Sequence, residues 1–228
     1  MKIIGFIFAR GGSKGLPGKN IMKLGGIPLV AHAVRAAKES GLIDRVILST
    51  DDEEIAEVGR EYGAEVPFMR PKELASDKTP EWLAWRHAIN QLDPFDIFVS
   101  LPCTSPLRSG LDVRKCIELY RKGGCDMVVT VREAERHPSF NMVTLNKQGY
   151  ASLVMPPEKS VSRRQDAAEV FDMTTVAYIS SPQFILNYDN IFQGRVKAVE
   201  IPKERAVDID TEFDFKFAEF LLTYKSKR

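Results

Sequence analysis

Ile3-Ile-Gly-Phe-Ile-Phe8, then Ala9, then Arg10-Gly-Gly-Ser-Lys-Gly-Leu-Pro-Gly-Lys-Asn20: this opening decides how the chain is read. The first six residues form an apolar run of strand length, bounded by a turn-rich segment, as expected of a buried β-strand. The eleven residues from Arg10 to Asn20 hold four glycines, three cations and one proline. Glycine lets a backbone turn with positive φ and approach a ligand closely. Successive N–H groups in such a turn make a concavity that attracts anions. Arg10 and Lys19 add full charges, and the arginine fork suits phosphate oxygens. A polyphosphate is the simplest ligand for this loop, with a flexible basic surface loop as the alternative. The pattern is neither G-x-x-x-x-G-K-[ST], since Asn20 follows Lys19, nor G-x-G-x-x-G.

Outward from that loop, the chain alternates strands and helices. Pro28 opens a helix with Leu29, Val30, Ala33, Val34 and Ala37 on one face, ended by Gly41. Arg45–Thr50 reads as a strand. Asp51, Asp52, Glu53 and Glu54 then start a helix whose positive end they complement, with metal binding as the alternative. Glu65–Met69 reads as a short strand. Thr79-Pro80 caps a helix carrying Trp82 and Trp85 at core spacing. Asp96–Leu101 is apolar enough to be central in a sheet. A helix with Val113, Ile117 and Tyr120 inward follows, then a strand at Met127–Val131. This rhythm predicts an α/β fold: a mostly parallel sheet flanked by helices, with ligands at the carboxyl ends of the strands. The loops at Arg10–Asn20, Thr50–Asp52 and Pro102–Arg108 should therefore converge.

The rhythm breaks over residues 137–172. Phe140–Leu145 and Tyr150–Met155 flank Asn146-Lys-Gln-Gly149 and read as a β-hairpin. An excursion of this kind inside a compact domain is usually functional; it is expected to cover a site or pair with a second subunit. Strands return at Thr174–Ser180 and Arg195–Ile201. A closing helix, Glu212–Tyr224, is expected to turn Phe213, Phe217, Phe220, Leu221 and Tyr224 inward.

Just before that helix lies Asp208-Ile209-Asp210. In an extended segment the two carboxylates share a face and suit Mg²⁺, which takes one or two protein carboxylates and completes its shell with phosphate and water. The alternative is a simple helix cap at Asp210 or Thr211. The 228 residues make one large domain, 1–228, with the 137–172 arm inserted. Lys+Arg 32 against Asp+Glu 31 gives a net charge of +1, which points to neither nucleic acid nor an anionic membrane. No apolar run reaches the ~20 residues of a membrane span. Met1-Lys2 leads straight into a strand and then a polar loop, so no secretory signal is expected. Cys103, Cys116 and Cys125 lack metal-ligand spacing and read as reduced thiols of a cytoplasmic protein.

The opening motif resembles the R-x-x-S-K-G-x-P-x-K-N signature of the CMP-sialic acid synthetases, the acylneuraminate cytidylyltransferases. Further likenesses follow in order: Leu48-Ser-Thr-Asp51, Arg70-Pro-x-x-Leu-Ala-Ser-Asp77, Thr104-Ser-Pro-Leu-Arg108, Ser162-Arg-Arg-Gln-Asp166 and Val207-Asp-Ile-Asp-Thr-Glu212. The resemblance covers nearly the whole chain. It implies a Rossmann-like nucleotidyltransferase, a homodimer joined by the arm, that transfers CMP from CTP to the anomeric hydroxyl of a nine-carbon 2-keto-3-deoxy acid sugar. It implies Arg10 and Lys19 at the triphosphate, and Ala9, Gly11, Gly12, Ser13 and Asn20 around the nucleotide. Arg70 would lie near the cytidine. Asp208 and Asp210 would hold Mg²⁺, with Arg10, Lys19 and Asp210 as the catalytic set, and Arg164, Gln165 and Tyr178 would meet the sugar.

The sequence departs from the family at two places. Pro102 and Cys103 replace a Gln-Pro pair, which bears on nucleotide contact. Asp172, Thr174 and Thr175 replace a cation and an Asn-Gly pair, which bears on the choice of sugar. A legionaminic- or pseudaminic-type acid, or an eight-carbon relative, is then open as acceptor. The other readings are a nucleotidyltransferase for another base or a sugar 1-phosphate, and a non-catalytic nucleotide-binding module. No general base is evident: His32 and His87 read as packing or surface residues, and His137 precedes the arm.

Overall fold

The computed structural model describes residues 1–13, 15–156 and 168–225. β1 (Ile3–Phe8) is followed by a two-stranded turn, β2 (Lys23–Leu24) and β3 (Ile27–Pro28), then α1 (Leu29–Glu39), β4 (Arg45–Ser49) and α2 (Glu53–Glu61). Next come α3 (Glu81–Asn90), β5 (Ile97–Ser100), α4 (Gly110–Arg121) and β6 (Met127–Glu133). The arm carries β7 (Val143–Leu145) and β8 (Ala151–Leu153). The chain closes with β9 (Phe171–Ser180), α5 (Pro182–Asn187), β10 (Val196–Glu200) and α6 (Glu212–Lys225).

Six strands form one sheet in the order β10-β6-β9-β5-β1-β4. β1 runs parallel to β4 and β5, and β10 parallel to β6. β9 alone runs antiparallel, between β5 and β6. It returns from the arm rather than from a crossover helix, so its direction is reversed.

Alternate residues of a strand face opposite sides of a sheet, and two cores result. Ile3 and Ile7 of β1, with Leu48 and Val99, pack under α1 and α4. Ile4 and Phe6, with Phe98, pack against Trp82 and Trp85 of α3 and against Tyr178. Both tryptophans are buried, as their spacing predicted, and Trp85 lies 5.6 Å from the Tyr178 ring.

Three local expectations change. Glu65–Met69 is not a strand: only Glu65 bridges to Ile47, and Pro67, two residues on, has no N–H to extend the ladder. Pro80, not the Thr79 side chain, caps α3; Thr79 Oγ1 donates to the Glu73 carbonyl instead. α6 turns Phe215 and Ala218 inward, while Phe213, Phe217, Phe220 and Tyr224 are exposed, Phe213 by 78%. The helix packs on β2, and that docking selects the other apolar stripe. β7 and β8 form the expected hairpin.

Candidate active site

The loop after β1 meets the loops after β4 and β5 and the segment before α6, as strand topology requires. Lys19 Nζ donates to the Ile209 carbonyl at 2.8 Å and to Asp210 Oδ1 at 3.1 Å, across 191 residues of sequence. Ile209 N–H in turn donates to the Thr104 carbonyl at 2.8 Å. Two glycines permit the loop its course. A Cβ on Gly15 would stand 2.6 Å from the Asp210 carbonyl oxygen, and Gly18 has φ of 66°. Asn20, buried, donates its amide to the Arg10 carbonyl at 2.9 Å.

These segments line a cavity of about 420 Å³ with Phe8, Leu74, Ala84, Arg70 and Glu81 on its other walls. Of the expected site residues, Arg10, Ser13, Lys19, Asn20, Arg70 and Asp210 line it directly. The Arg10 guanidinium is held by Asp77 at 2.6 Å. Three loop N–H groups expected to face an anion have partners inside the protein. Ala9 donates to Ser49, Ser13 to Gly11, and Gly11 to Asp51 Oδ1 at 3.1 Å. Asp51 thus fastens the loop, and Asp52 alone caps α2, through Ile55 N–H. Gly12 lies outside the cavity wall. Arg164 and Gln165 lie outside the described residues.

Behind the cavity is a cluster of buried ionisable groups. Arg70 is 6% exposed, and its Nε and Nη2 have no hydrogen-bond partner; the Asp51 carboxylate is 3.8 Å from Nη2. Burial lowers its pKa, opposed by Asp51 and Glu81. Arg108, pulled down to about 10 by burial, leaves Nε and Nη1 unpartnered. Its Nη2 donates to the Pro102 and Thr175 carbonyls. Tyr178 is pushed up to about 12, first by burial and then by the Glu81 and Asp208 carboxylates. Asp208 Oδ1 is buried without a partner.

Glu81 was not singled out in the sequence. It opens onto the cavity, yet surrounding protein pushes its carboxyl above the usual range, with Arg70 opposing. The available signal was spacing: Glu81 stands one turn from the buried Trp85 on the same helix face.

The departures from the family pattern are built into the scaffold. Cys103 is 2% exposed in the core. Asp172 pairs with Arg132 at 3.4 Å, Thr174 donates to Thr130 Oγ1, and Thr175 bonds Ser105 at 2.7 Å. No histidine lines the cavity. His137 accepts from Ser139 N–H at Nδ1 and donates through Nε2 to the Ala168 carbonyl, fastening the arm.

A carboxylate pair with one orphaned buried oxygen fits a divalent cation. Asp208 supplies that oxygen and Asp210 an exposed carboxylate, 72% exposed, on the cavity wall. Among the described residues there is no cluster of three or more His, Cys, Asp or Glu, so a cation here would need ligands from phosphate or water.

The cytidylyltransferase family model matches residues 4–225. The chain belongs to the cytidylyltransferase family. It is similar to the CMP-N,N'-diacetyllegionaminic acid synthase of Campylobacter jejuni, 34% identical over 230 residues, with 99% of this chain and 97% of that protein covered. It is 36% identical over 217 residues to the N-acylneuraminate cytidylyltransferase of Streptococcus agalactiae; the match covers 94% of this chain and 52% of that longer protein. Among solved structures it resembles a CMP:2-keto-3-deoxy-manno-octonic acid synthetase complexed with CTP, with a TM-score of 0.74 and 18% identity over 99% of this chain and all of that one. That likeness establishes a shared nucleotidyltransferase fold. A cytidylyltransferase must hold a triphosphate beside an acceptor, and the cavity offers cations on one wall and the buried charge cluster behind it. Among the described residues no helix is long and apolar enough to cross a membrane.

Proposed function

We propose that this cytidylyltransferase transfers CMP from CTP to the anomeric hydroxyl of a sialic-acid-like nonulosonate and releases pyrophosphate. The observation that carries this reading is the joining of the Arg10–Asn20 loop to Asp210 through Lys19 at the rim of one cavity. It draws support from the relatives named for legionaminic and N-acylneuraminic acid.

The reaction is in-line displacement at the α-phosphorus. The anomeric oxygen attacks and loses its proton, and the bond to the bridging oxygen of pyrophosphate breaks. Catalysis is then mainly positioning and charge neutralisation. Lys19 stabilises the negative charge that grows on pyrophosphate. Arg10 joins it by exchanging Asp77 for a phosphate oxygen. Asp208 and Asp210 would hold Mg²⁺, which supplies Lewis-acid neutralisation of the triphosphate. Tyr178 would orient the acceptor, and the family resemblance assigns Arg164 to the acceptor carboxylate and Gln165 to the sugar. The arm exposes Leu145 (69%), Tyr150 (73%) and Met155 (53%), an apolar surface suited to a second copy, so the working form is a homodimer. Three free buried thiols suit the cytoplasm.

The test is pyrophosphate release with Mg²⁺, each of the four nucleoside triphosphates, and a panel of 2-keto-3-deoxy acid sugars. Release is expected with CTP and a nine-carbon acid. Folded protein that binds CTP and stays silent across the panel would refute the acceptor class.

A further inference from the structure

The pairing of β9 with β6 is broken at one place. Val128 pairs with Ile179 and Thr130 with Thr174, so the single residue Val129 stands opposite four residues of β9, Thr175 to Tyr178. Bulges re-aim side chains and are frequent beside active sites. The fully buried Thr130 hydroxyl closes this one, accepting from Thr174 Oγ1 at 2.8 Å and from Ala177 N–H at 3.3 Å. The bulge brings Thr175 to the loop that follows β5. Thr175 Oγ1 bonds Ser105 Oγ at 2.7 Å and accepts from Thr104 Oγ1 at 3.3 Å, and the Thr175 carbonyl accepts from Arg108 Nη2 at 3.4 Å. Ser105 is fully buried, and Thr104 lines the cavity.

That loop in turn holds the anchor of Lys19. The Thr104 carbonyl accepts Ile209 N–H at 2.8 Å, and the Ile209 carbonyl accepts Lys19 Nζ at 2.8 Å. β9 therefore reaches Lys19 in three hydrogen-bonded steps: Thr175 to Thr104, Thr104 to Ile209, and Ile209 to Lys19. The Asn-Gly pair of the family pattern puts glycine at the place of Thr175, and glycine has no hydroxyl to make the first step. We propose that Thr175 is a positioning residue: its hydroxyl ties the loop after β5 to the β9 bulge and so keeps the Ile209 carbonyl where it aims Lys19 into the cavity. A small misplacement of a preorganised group is costly, since about 1 Å can cost about 10²-fold in rate. Lys19 acts on charge that grows in the transition state, so the tether bears on kcat more than on KM.

This role depends on the proposed CTP-dependent reaction, and the wild type separates the two. Pyrophosphate release with CTP, Mg²⁺ and the acid sugar that gives turnover is measured for the wild type, T175V, T175S, S105A, K19A and the doubles T175V/K19A and S105A/K19A. Thermal unfolding of each shows that it is folded. T175V keeps the shape of threonine without its hydroxyl, and it should lower kcat about 10-fold, part of what a 1 Å misplacement costs, with the KM for CTP nearly unchanged. T175S restores the hydroxyl and should recover most of kcat. S105A removes the Ser105–Thr175 bond from the other side and should lower kcat in the same way, so the outcome does not hang on the folding of T175V. In the K19A background both changes should cost little more, because the group they position is gone. A folded wild type silent with every acid sugar would overturn the functional reading and this role with it. With an active wild type, unchanged kcat in the folded single variants, T175S as impaired as T175V, or full additivity with K19A would overturn the positioning role alone.

Discussion

Asp112 and Asp208 are both carboxylates near a buried arginine, and they are built in opposite ways. Asp112 is closed. Arg205 donates to its two oxygens at 2.8 and 3.0 Å, and the Ser109 N–H and hydroxyl complete the shell. Asp208 is open, with one buried oxygen unpartnered and with Arg108 keeping two unpartnered nitrogens. Ser100 Oγ, at the end of β5, is likewise orphaned. A buried polar atom left unpaired costs about 1–3 kcal/mol. Unpaired groups concentrated beside one cavity mark where the fold forgoes stability that a ligand can supply. The paired set at Asp112 marks where it does not.

Four substitutions sharpen or break this contrast. The largest effects belong at the open end. Asp210→Asn should remove Mg²⁺-dependent turnover, and Lys19→Ala should lower kcat/KM by about 10²- to 10³-fold, the scale of one lost preorganised contact. Thermal midpoints near wild type are expected for both. Near-normal activity of Asp210→Asn would sink the metal assignment.

Next is Arg205→Ala, which strands the 1%-exposed Asp112 carboxylate. A loss of about 3 kcal/mol in denaturant unfolding is expected, with kcat barely changed. Burial raises the Asp112 pKa, but Arg205 and Ser109 outweigh it and hold the group below its usual value. A depressed carboxylate contributes stability above its unfolded pKa, near 4, that is lost as pH falls through the folded value. The gap between wild type and variant should therefore be full at neutral pH and shrink below about pH 4. A gap independent of pH would mean that packing, not charge, carries the effect.

The smallest stability effect is expected for Asp208→Asn, within about 1 kcal/mol because no hydrogen bond to the orphaned oxygen is lost. The added stability on saturating CTP and Mg²⁺, about 2.7 kcal/mol at a hundredfold excess over Kd, should fall in this variant. A destabilisation equal to that of Arg205→Ala would erase the distinction between the open and closed sites.

Much of the fold was legible locally. Strand runs, Pro and Gly punctuation and βα rhythm are short-range signals, and β1, α1, β4, α4 and the hairpin lie where they point. α6 shows the limit. Its apolar residues form one stripe at 213, 217, 220 and 224 and another at 215, 218 and 222. Periodicity alone does not choose between two apolar faces. Contact with β2, nearly 190 residues earlier, does. Acidic spacing likewise identified Asp51 and Asp52 as a helix start, but only tertiary placement shows Asp51 bonded to the Arg10–Asn20 loop.

By itself the sequence determined the family, the Gly-rich loop after the first strand and the Asp208–Asp210 pair, because residue type and spacing encode these directly. The tertiary structure decided which groups remain available to a ligand. It engaged the N–H groups of Ala9, Gly11 and Ser13, paired Arg10 with Asp77, and set Glu81 on the same cavity as Arg70. Those outcomes depend on strand order and on desolvation at one point in space, where segments nearly 200 residues apart meet.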